Sequence, residues 1–337
     1  MKRSVTLTVW SGFLLSTLLS ISSAPAQSDL AEAAKKEGKL LWYGSMGVED
    51  SKQLIDAFTR KYPFARVERV RGVNETTLAR MGTERRSGGL AADVVDLNGF
   101  YGHILLKEKY VTPYASPFSR DYPAGAKDSK GLWTAFFLLT EVIAYNTDLV
   151  DPRKAPRSYQ DLLSPNWEDK MVIESQSYDW YYAMPKIVGP TKVRDYMQKI
   201  AAQRPKPIKG HNLLTQLLAA GEFAVAITTY GHRVEQARAK GAPVVWVTSE
   251  TAIAIPQIIS LANSSRNPNL ARLFMDFVLS DDGQEVIKKI GRIPASPRVK
   301  PNPPRLTDGI KLLYPDIIDG GSRYDELRTE FTQFFLQ

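Results

Sequence analysis

The sequence predicts an α/β protein of two lobes, in which two mostly parallel sheets are joined by a pair of long extended strands. The chain has 337 residues, which is enough for about two domains. Short apolar runs alternate with amphipathic helices in two separate stretches, a pattern typical of parallel sheets covered by helices on both faces. Two longer apolar runs, residues 133–146 and 252–262, flank the second stretch. We expect them to cross between the lobes as a hinge that allows closure around a ligand.

The first stretch predicts three strands and three helices in alternation. Residues 39–43 form a short apolar run that ends at Gly44, which is typical of a buried strand. Leu54 and Phe58 share one face of the helix that follows, and Pro63 ends it. The other elements expected here are strands at 65–70 and 92–97 and helices at 50–62, 76–86 and 100–107.

The second stretch repeats the alternation. The run at 133–146 is either one long buried strand or two strands with a bend near Thr140 and Glu141. Ser158 and Asp161 stand at the spacing of a capping box at the start of a short helix. Strands are expected at 170–174, 223–229 and 244–247, and helices at 179–187, 191–201, 213–219, 233–239, 268–279, 281–290 and 324–335.

Composition excludes several classes of function. The chain has no Cys, so disulfides, zinc–cysteine sites and cysteine nucleophiles are impossible. Its three histidines, His103, His211 and His232, lie far apart in the sequence. No serine-nucleophile elbow, P-loop or glycine-rich dinucleotide-binding motif is present. We therefore predict that the protein is not an enzyme and uses no cofactor.

Residues 1–26 are typical of a secretory signal peptide. Lys2 and Arg3 precede an apolar stretch over residues 7–21, and residues 24–26, Ala-Pro-Ala, give the small-x-small pattern that signal peptidase reads. Serine and threonine interrupt the apolar stretch, so it is too short for a membrane span. We expect cleavage after Ala26 and a mature protein in the periplasm.

The formal net charge is +8, and removal of Lys2 and Arg3 lowers it by two, to +6. This positive charge is either solvated at the surface or creates a field that favours anionic ligands. The sequence has no long block of Lys and Arg, and the chain is exported, so we expect no nucleic-acid partner.

Segments spread over almost the whole mature chain carry a resemblance to a known family. They are LLWYGS at 40–45, AADVVDLNG at 91–99, VIAYNTDLV at 142–150, SYQDLLSPNWEDKMVIE at 158–174, GEFAVAITTY at 221–230, AKGAPVVWV at 239–247 and NPNLARLFMDFVLSDDGQEVI at 267–287. With them the chain resembles the periplasmic solute-binding proteins of bacterial ABC importers, in the family 1 branch that includes the ferric-iron-binding proteins. The resemblance implies a type II periplasmic binding protein fold, an ABC permease and ATPase as partners, and a monomer.

The same resemblance divides the chain into lobes with the ligand cleft between them. Lobe 1 comprises residues 27–141 and is completed by residues 252–337, and lobe 2 comprises residues 142–251. The two hinge strands lie at the boundaries.

Ligands of open α/β sheets bind beyond the carboxyl ends of the strands, so the residues just past each strand are the candidates for ligand binding. Ser45 follows the first strand and either donates a hydrogen bond to an anionic ligand or satisfies its own turn. Asn98 follows the third strand, where the resemblance implies a ligand contact.

The remaining candidates belong to the second lobe. Ser177 and Tyr178 lie where a helix begins, and free N–H groups there form an anion site unless Asp179 caps the helix instead. Tyr230 follows the strand at 223–229. Arg233 is either a bidentate anchor for a carboxylate or phosphonate or a solvated helical residue.

Iron-binding members of the family carry two adjacent tyrosines in the segment around Tyr230, and their phenolates hold ferric ion. This chain has Thr229 before Tyr230 and Gly231 after it, and a threonine hydroxyl is not acidic enough to replace a phenolate. No His or Glu directly follows the first strand to complete a metal shell. We therefore expect no metal-binding residues, although Fe³⁺ stays open as a transported ligand.

The favoured function is capture of a small organic anion, such as a carboxylate, a phosphonate or a sugar phosphate. Both lobes would contact the solute, and their closure would precede delivery to the importer. Two alternatives stay open. One is a ferric-iron-binding protein of an iron(III) importer, and the other is a ligand-binding protein that feeds a chemosensory receptor.

Overall fold

The computed structural model describes residues 24–247 and 251–336. The predicted signal peptide lies outside this range apart from its last three residues, which belong to the first helix. No helix in the described part of the chain is long and apolar enough to cross a membrane. Cleavage after Ala26 stays a prediction.

The strands occur where the sequence predicts them, with four short ones added. They are β1 (Lys39–Gly44), β2 (Arg66–Arg71), β3 (Val94–Asn98), β4 (Val111–Thr112), β5 (Thr134–Asn146), β6 (Met171–Glu174), β7 (Lys206–Ile208), β8 (Val225–Tyr230), β9 (Val244–Trp246), β10 (Thr251–Ala262), β11 (Ile293–Pro294) and β12 (Lys311–Leu313). The sequence does not predict β4, β7, β11 or β12, because two or three residues carry no periodicity.

The helices follow the same pattern. They are α1 (Ala24–Lys35), α2 (Val48–Lys61), α3 (Asn74–Arg86), α4 (Gly102–Lys107), α5 (Tyr178–Ala183), α6 (Pro185–Val188), α7 (Val193–Ala202), α8 (His211–Ala219), α9 (Gly231–Ala239), α10 (Pro268–Leu279), α11 (Asp281–Lys289), α12 (Ile317–Ser322) and α13 (Tyr324–Phe335). The sequence misses α1 and α12. The helix expected at 179–187 is two short helices, because Pro185 interrupts it.

The strands form one hydrogen-bonded path in the order β2-β1-β3-β10-β5-β8-β6-β7. β1 is parallel to β2 and β3, and β6 is parallel to β7 and β8. β5 and β10 are antiparallel to each other and to the strands that they join to these two groups. The predicted α/β architecture is confirmed, with two groups of parallel strands connected through two long strands.

β5 is a single uninterrupted strand, which settles the alternative that the sequence left open. Every residue of β5 is buried, and so is every residue of β10 after Thr251. The first half of β5 pairs with β10, whereas its second half pairs with β8 and β9. β10 pairs with β3 toward its end. β10 therefore joins the first group and β5 joins the second, and the pairing of β5 with β10 connects the two groups.

The last helix, α13, packs on α5. The ring of Phe331 contacts the rings of Tyr178 and Tyr181, with centroids 5.4 and 6.2 Å apart. The division into a lobe of residues 27–141 with 252–337 and a lobe of residues 142–251 stays a prediction. α13 has contacts with helices from the range assigned to the second lobe.

Candidate ligand cleft

Two adjoining cavities lie at the ends of strands from both groups. The larger cavity has a volume of about 600 Å³ and the smaller cavity about 190 Å³. Asn74, Asn98 and Tyr230 line both cavities, so the two form one cleft. Asn98 ends β3 and Tyr230 ends β8, so each group of parallel strands contributes a wall.

The smaller cavity has a polar and positively charged lining. Ser45 lies just after β1, and its Oγ accepts a hydrogen bond from Gln257 Nε2 at 2.9 Å. Arg292, whose side chain is 8% exposed, reaches the cavity from the segment after α11. Its Nη2 lies 2.6 Å from Asp50 Oδ2, and its Nη1 lies 2.8 Å from His232 Nε2.

Arg233 does not line either cavity but lies close behind Arg292. Its Nη1 donates to Gln236 Oε1 at 2.8 Å. Burial and the neighbouring Arg292 guanidinium lower the pKa of Arg233 to about 10, and Asp50 partly offsets them. Asp50 is thus the one carboxylate of the described residues beside the two guanidinium groups of Arg233 and Arg292. This end of the cleft therefore has a net positive charge.

The loop after β6 is acidic. Glu174 Oε2 accepts the N–H of Gln176 at 2.6 Å, and Asp179 Oδ1 accepts the N–H of Trp180 at 3.0 Å. Ser177 is buried, with its Oγ 3.5 Å from Glu174 Oε2, and it lines neither cavity. The anion site predicted at the start of α5 stays a prediction, but carboxyl oxygens accept two N–H groups of this loop, and an ionised carboxylate there would repel an anion.

Burial shifts the protonation equilibria on this side of the cleft. It raises the pKa of Glu174, and it raises the pKa of Asp179 to about 6. Glu141 on β5 is fully buried near both groups, so desolvation and their charges raise its pKa well above the usual range. Burial also lowers the pKa of His211 to about 3, and the nearby Arg233 adds to this effect. The imidazole of His211 is therefore neutral at pH 7.

Tyr230 stands where the two cavities meet. Its ring stacks on His211 with centroids 3.7 Å apart, and it lies nearly parallel to the ring of His232 at 5.7 Å. Burial and the three carboxyl groups around it raise the pKa of Tyr230 well above its ordinary value. The phenol is a neutral hydrogen-bonding group.

A group of tyrosines lines the larger cavity. The rings of Tyr178 and Tyr324 meet edge to face with centroids 5.2 Å apart, and the ring of Tyr101 lies 5.7 Å from Tyr324. Tyr101 donates its hydroxyl to Glu75 Oε1, which also belongs to the lining. This wall combines the start of α3, the turn after β3, the start of α5 and the start of α13.

Asn98 links the two sides of the cleft. Its side chain hydrogen-bonds to the Asp179 carboxyl group from the opposite group of strands. Its Oδ1 also accepts the N–H of Phe100 at 2.9 Å and so caps the turn after β3. One side chain thus fixes a local turn and bridges the cleft.

The structure brings four of the predicted site residues together. Ser45, Asn98, Tyr178 and Tyr230 line the cleft, whereas Ser177 and Arg233 do not. The sequence missed other lining residues, namely Asn74, Glu75, Tyr101, Glu174, Asp179, Lys209, His211, Gln257, Arg292 and Tyr324. Its position as the last residue of a predicted strand could have indicated Glu174, but Arg292 and Tyr324 carry no such signal.

No group of three or more His, Asp and Glu side chains within residues 24–247 and 251–336 is arranged to hold a metal ion. The residues that line the cleft offer hydrogen bonding, charge and aromatic contact.

Comparison with known proteins identifies the family. A family model described as bacterial extracellular solute-binding protein matches residues 92–317, well over half of the chain. The chain belongs to this family. Membership confirms that the solute-binding protein is not an enzyme.

Solved structures agree with this assignment. The solute-binding protein is similar to IdiA (FutA) of Trichodesmium in complex with iron and citrate, with 18% identity and a TM-score of 0.74 over 88% of this chain and 99% of that one. It is equally similar to AfuA of Actinobacillus pleuropneumoniae with fructose-6-phosphate bound, with 20% identity and a TM-score of 0.74 over 89% and 99%. These likenesses confirm the type II periplasmic binding protein fold, and they show the fold alone.

One curated relative also matches the solute-binding protein. It is described as "Probable ABC transporter periplasmic-binding protein y4fP" of Sinorhizobium fredii (strain NBRC 101917 / NGR234), and it is 38% identical over 72 residues. The match covers 21% of this chain and 20% of the relative, so this chain spans about a fifth of the relative's length.

Proposed function

We propose that this solute-binding protein is the periplasmic substrate-binding component of an ABC importer. It captures a small solute in the cleft and delivers it to the membrane permease and its ATPase. The observation that carries the proposal is that both groups of parallel strands contribute walls to one cleft. A solute bound to both walls favours the closed arrangement of the lobes by the difference in its affinity for the two states.

The hinge in this proposal consists of β5 and β10. Lobe 1 comprises residues 27–141 with 252–337, and lobe 2 comprises residues 142–251. The hydrogen bond between Asn98 and Asp179 then crosses from one lobe to the other. This hydrogen bond needs the two walls of the cleft to be close together, so it stabilises the closed arrangement of the lobes.

The solute carries an anionic group that binds in the smaller cavity. Arg292 lines this cavity and Arg233 lies behind it, and the two guanidinium groups face one carboxylate, Asp50. Ser45 and Gln257 add a hydroxyl and an amide. A carboxylate, a phosphonate or a phosphate matches this set of donors.

Ferric ion fits the cleft less well. A ferric site of the family's kind needs phenolate oxygens, whereas burial beside three carboxyl groups keeps the Tyr230 phenol protonated. Release of that proton would place a negative charge in a buried cluster of carboxyl groups, which low polarity makes costly.

Thermal unfolding tests the proposal. The mature protein is refolded from denaturant to remove carried-over ligand and is heated with carboxylates, phosphonates, sugar phosphates or ferric citrate. A ligand at 100 times its dissociation constant adds about 2.7 kcal/mol to the free energy of unfolding, which raises Tm by a few degrees for a protein of this size. We expect one class of anion to raise Tm without metal.

Arg292→Gln should abolish that rise, because it removes the charge that faces the anion. Arg238→Gln removes the same charge from an exposed position on α9 and should preserve the rise. The Tm of each variant without ligand is its own baseline, because Arg292 also pairs with Asp50. A rise with ferric citrate alone, or the same rise in both variants, would contradict the anionic class.

Export is tested separately. The intact mass of the protein from a periplasmic extract should correspond to a chain that begins at Gln27. A mass of the full chain would contradict cleavage after Ala26.

A further inference from the structure

The larger cavity has the opposite charge to the smaller one. Glu75, Glu174 and Asp179 line it, and the basic residue beside them, Lys209, is exposed at its edge. Among the described residues, no Lys or Arg lies within ion-pair distance of Glu174 or Asp179. Their charges are offset by backbone N–H groups, by the Ser177 hydroxyl and by Asn98.

Unsatisfied polar atoms lie beside the same cavity. Glu141 Oε1 and His211 Nδ1 are buried and have no hydrogen-bond partner. Glu141 Oε1 lies 3.5 Å from His211 Nε2, and the ring of His211 lines the cavity. Buried polar groups without partners are rare in native proteins. His211 lines the cavity, so a ligand bound there can supply a partner for its ring nitrogen.

Aromatic rings surround the acidic groups. Tyr101, Tyr178, Tyr230 and Tyr324 all line the larger cavity. The face of an aromatic ring attracts a cation through the ring quadrupole, and this attraction grows when water is excluded. Tyrosine rings next to carboxylates without counter-ions form a surface complementary to a cationic nitrogen.

We propose that the larger cavity receives a cationic nitrogen, so that the imported solute is a zwitterion with its anionic group in the smaller cavity. This inference rests on the proposed function and specifies its substrate class. Asn98 and Tyr230 line both cavities, so one small molecule can contact both ends of the cleft.

The proposal predicts the sign of the pH dependence of binding. A cationic nitrogen binds the ionised form of Asp179, whose pKa burial raises to about 6. Affinity for such a ligand therefore rises as the pH increases through about 6, and binding below that pH releases protons. The titratable groups that face Asp179 are Glu141 from β5, Glu174 from β6, Tyr230 from β8 and Tyr324 from α13. Ionisation of the other carboxyl groups in this set would also strengthen the binding of a cation as the pH rises.

Matched probes test the inference on the refolded mature protein. The probes are ω-amino carboxylates of increasing chain length, the nitrogen-free carboxylate of each length and the simple amine of each length. We expect an amino carboxylate to raise Tm while its nitrogen-free counterpart does not. Calorimetric titration in two buffers of different ionisation enthalpy should then show proton release below about pH 6.

Asp179→Asn keeps the shape of the side chain and removes its charge. We expect the variant to bind the amino carboxylate about tenfold more weakly or worse, and to lose the proton release. Asp148→Asn removes the same charge from an exposed position outside the cleft and should behave like the parent. The proton-release measurement on the parent decides the matter if Asp179→Asn does not fold.

The outcomes separate this inference from the proposal that it extends. Equal binding of amino and nitrogen-free carboxylates, or proton uptake below about pH 6, overturns the cationic subsite and leaves anion capture standing. Binding of the simple amine alone overturns the anionic subsite and supports the cationic one. Failure of every probe at millimolar concentration overturns the zwitterion, whereas anion capture is then decided by the phosphonates and sugar phosphates.

Discussion

Both groups of parallel strands bury carboxyl groups near the cleft, but they treat the charges differently. Asp96, on β3, is fully buried and lies 3.2 Å from Arg69 Nη2, and it also accepts the N–H of Met46 at 3.0 Å. Asp179, on the other side, has hydrogen-bond donors but no cation among the described residues. The acid with a counter-ion serves the fold, whereas the acid without one is, in our proposal, the partner of a cationic ligand.

The comparison has a simple electrostatic basis. Burial raises the pKa of both Asp96 and Asp179, but the Arg69 guanidinium opposes the effect at Asp96. Arg69 also lies over the Trp42 ring, 4.0 Å from its centroid. The charge of Asp96 is therefore balanced within the protein and needs no bound solute. Within the part of the chain that the structure describes, Asp179 has no such cation beside it, so a proton or, in our proposal, the cationic nitrogen of a ligand neutralises its charge.

The largest expected effect is on stability at Asp96. Asp96→Asn leaves the Arg69 side chain, which is 10% exposed, without its counter-ion, and we expect the free energy of unfolding to fall by about 3–5 kcal/mol. Urea denaturation measures the loss. Asp56→Asn removes the partner of Lys52 from an exposed pair and should cost less than about 1 kcal/mol. Similar losses in both variants would contradict a structural role for Asp96.

Loss of the Glu141 charge should stabilise the protein, the opposite of the effect at Asp96, because burial makes the ionised carboxylate of Glu141 unfavourable in the folded state. Burial raises the pKa of Glu141 well above its usual range, so the folded chain keeps a proton that the unfolded chain releases above about pH 4.3. Stability therefore falls as the pH rises from about 4.3 toward the folded-state pKa.

Glu141→Gln should remove this fall. We expect the variant to exceed the parent at pH 7 by about 1.4 kcal/mol for each pH unit that lies both above about 4.3 and below the folded-state pKa, and to match it near pH 4. Urea denaturation at the two pH values measures the difference. Glu285→Gln changes an exposed glutamate and should show no such pH dependence. A constant difference at both pH values would indicate a packing effect instead.

Much of the fold could be predicted because its elements depend on local patterns. The helix predicted at 324–335 is α13 with the same bounds, since its apolar residues recur at helical spacing. The two long apolar runs are β5 and β10, because a strand buried on both faces reads as a continuous apolar sequence.

The site could be predicted only in part. Ser45, Asn98 and Tyr230 lie at strand ends, and the sheet brings such positions together. Arg292 reaches the cleft through a contact with Asp50 across 242 residues, and no local pattern encodes it. The sequence of the loop at Asp179 allowed both an anion site and a capping carboxylate, and the N–H groups that Glu174 and Asp179 accept favour the second.

The smallest expected effect concerns the bridge across the cleft. Asn98→Ser keeps an oxygen that can cap the turn after β3 but is too short to reach Asp179. We expect stability to change by less than about 0.5 kcal/mol and the closed arrangement to lose one hydrogen bond, about 1 kcal/mol or a several-fold shift in the closed fraction. Small-angle scattering of the ligand-free variant should show a larger radius of gyration than in the parent.

The control is Asn263→Ser, which removes an exposed hydrogen bond from the Asn263 side-chain amide to the Lys109 carbonyl and should leave the radius unchanged. If the radius of Asn98→Ser also stays at the parent value, the bond to Asp179 does not hold the walls together, and closure depends on the solute alone.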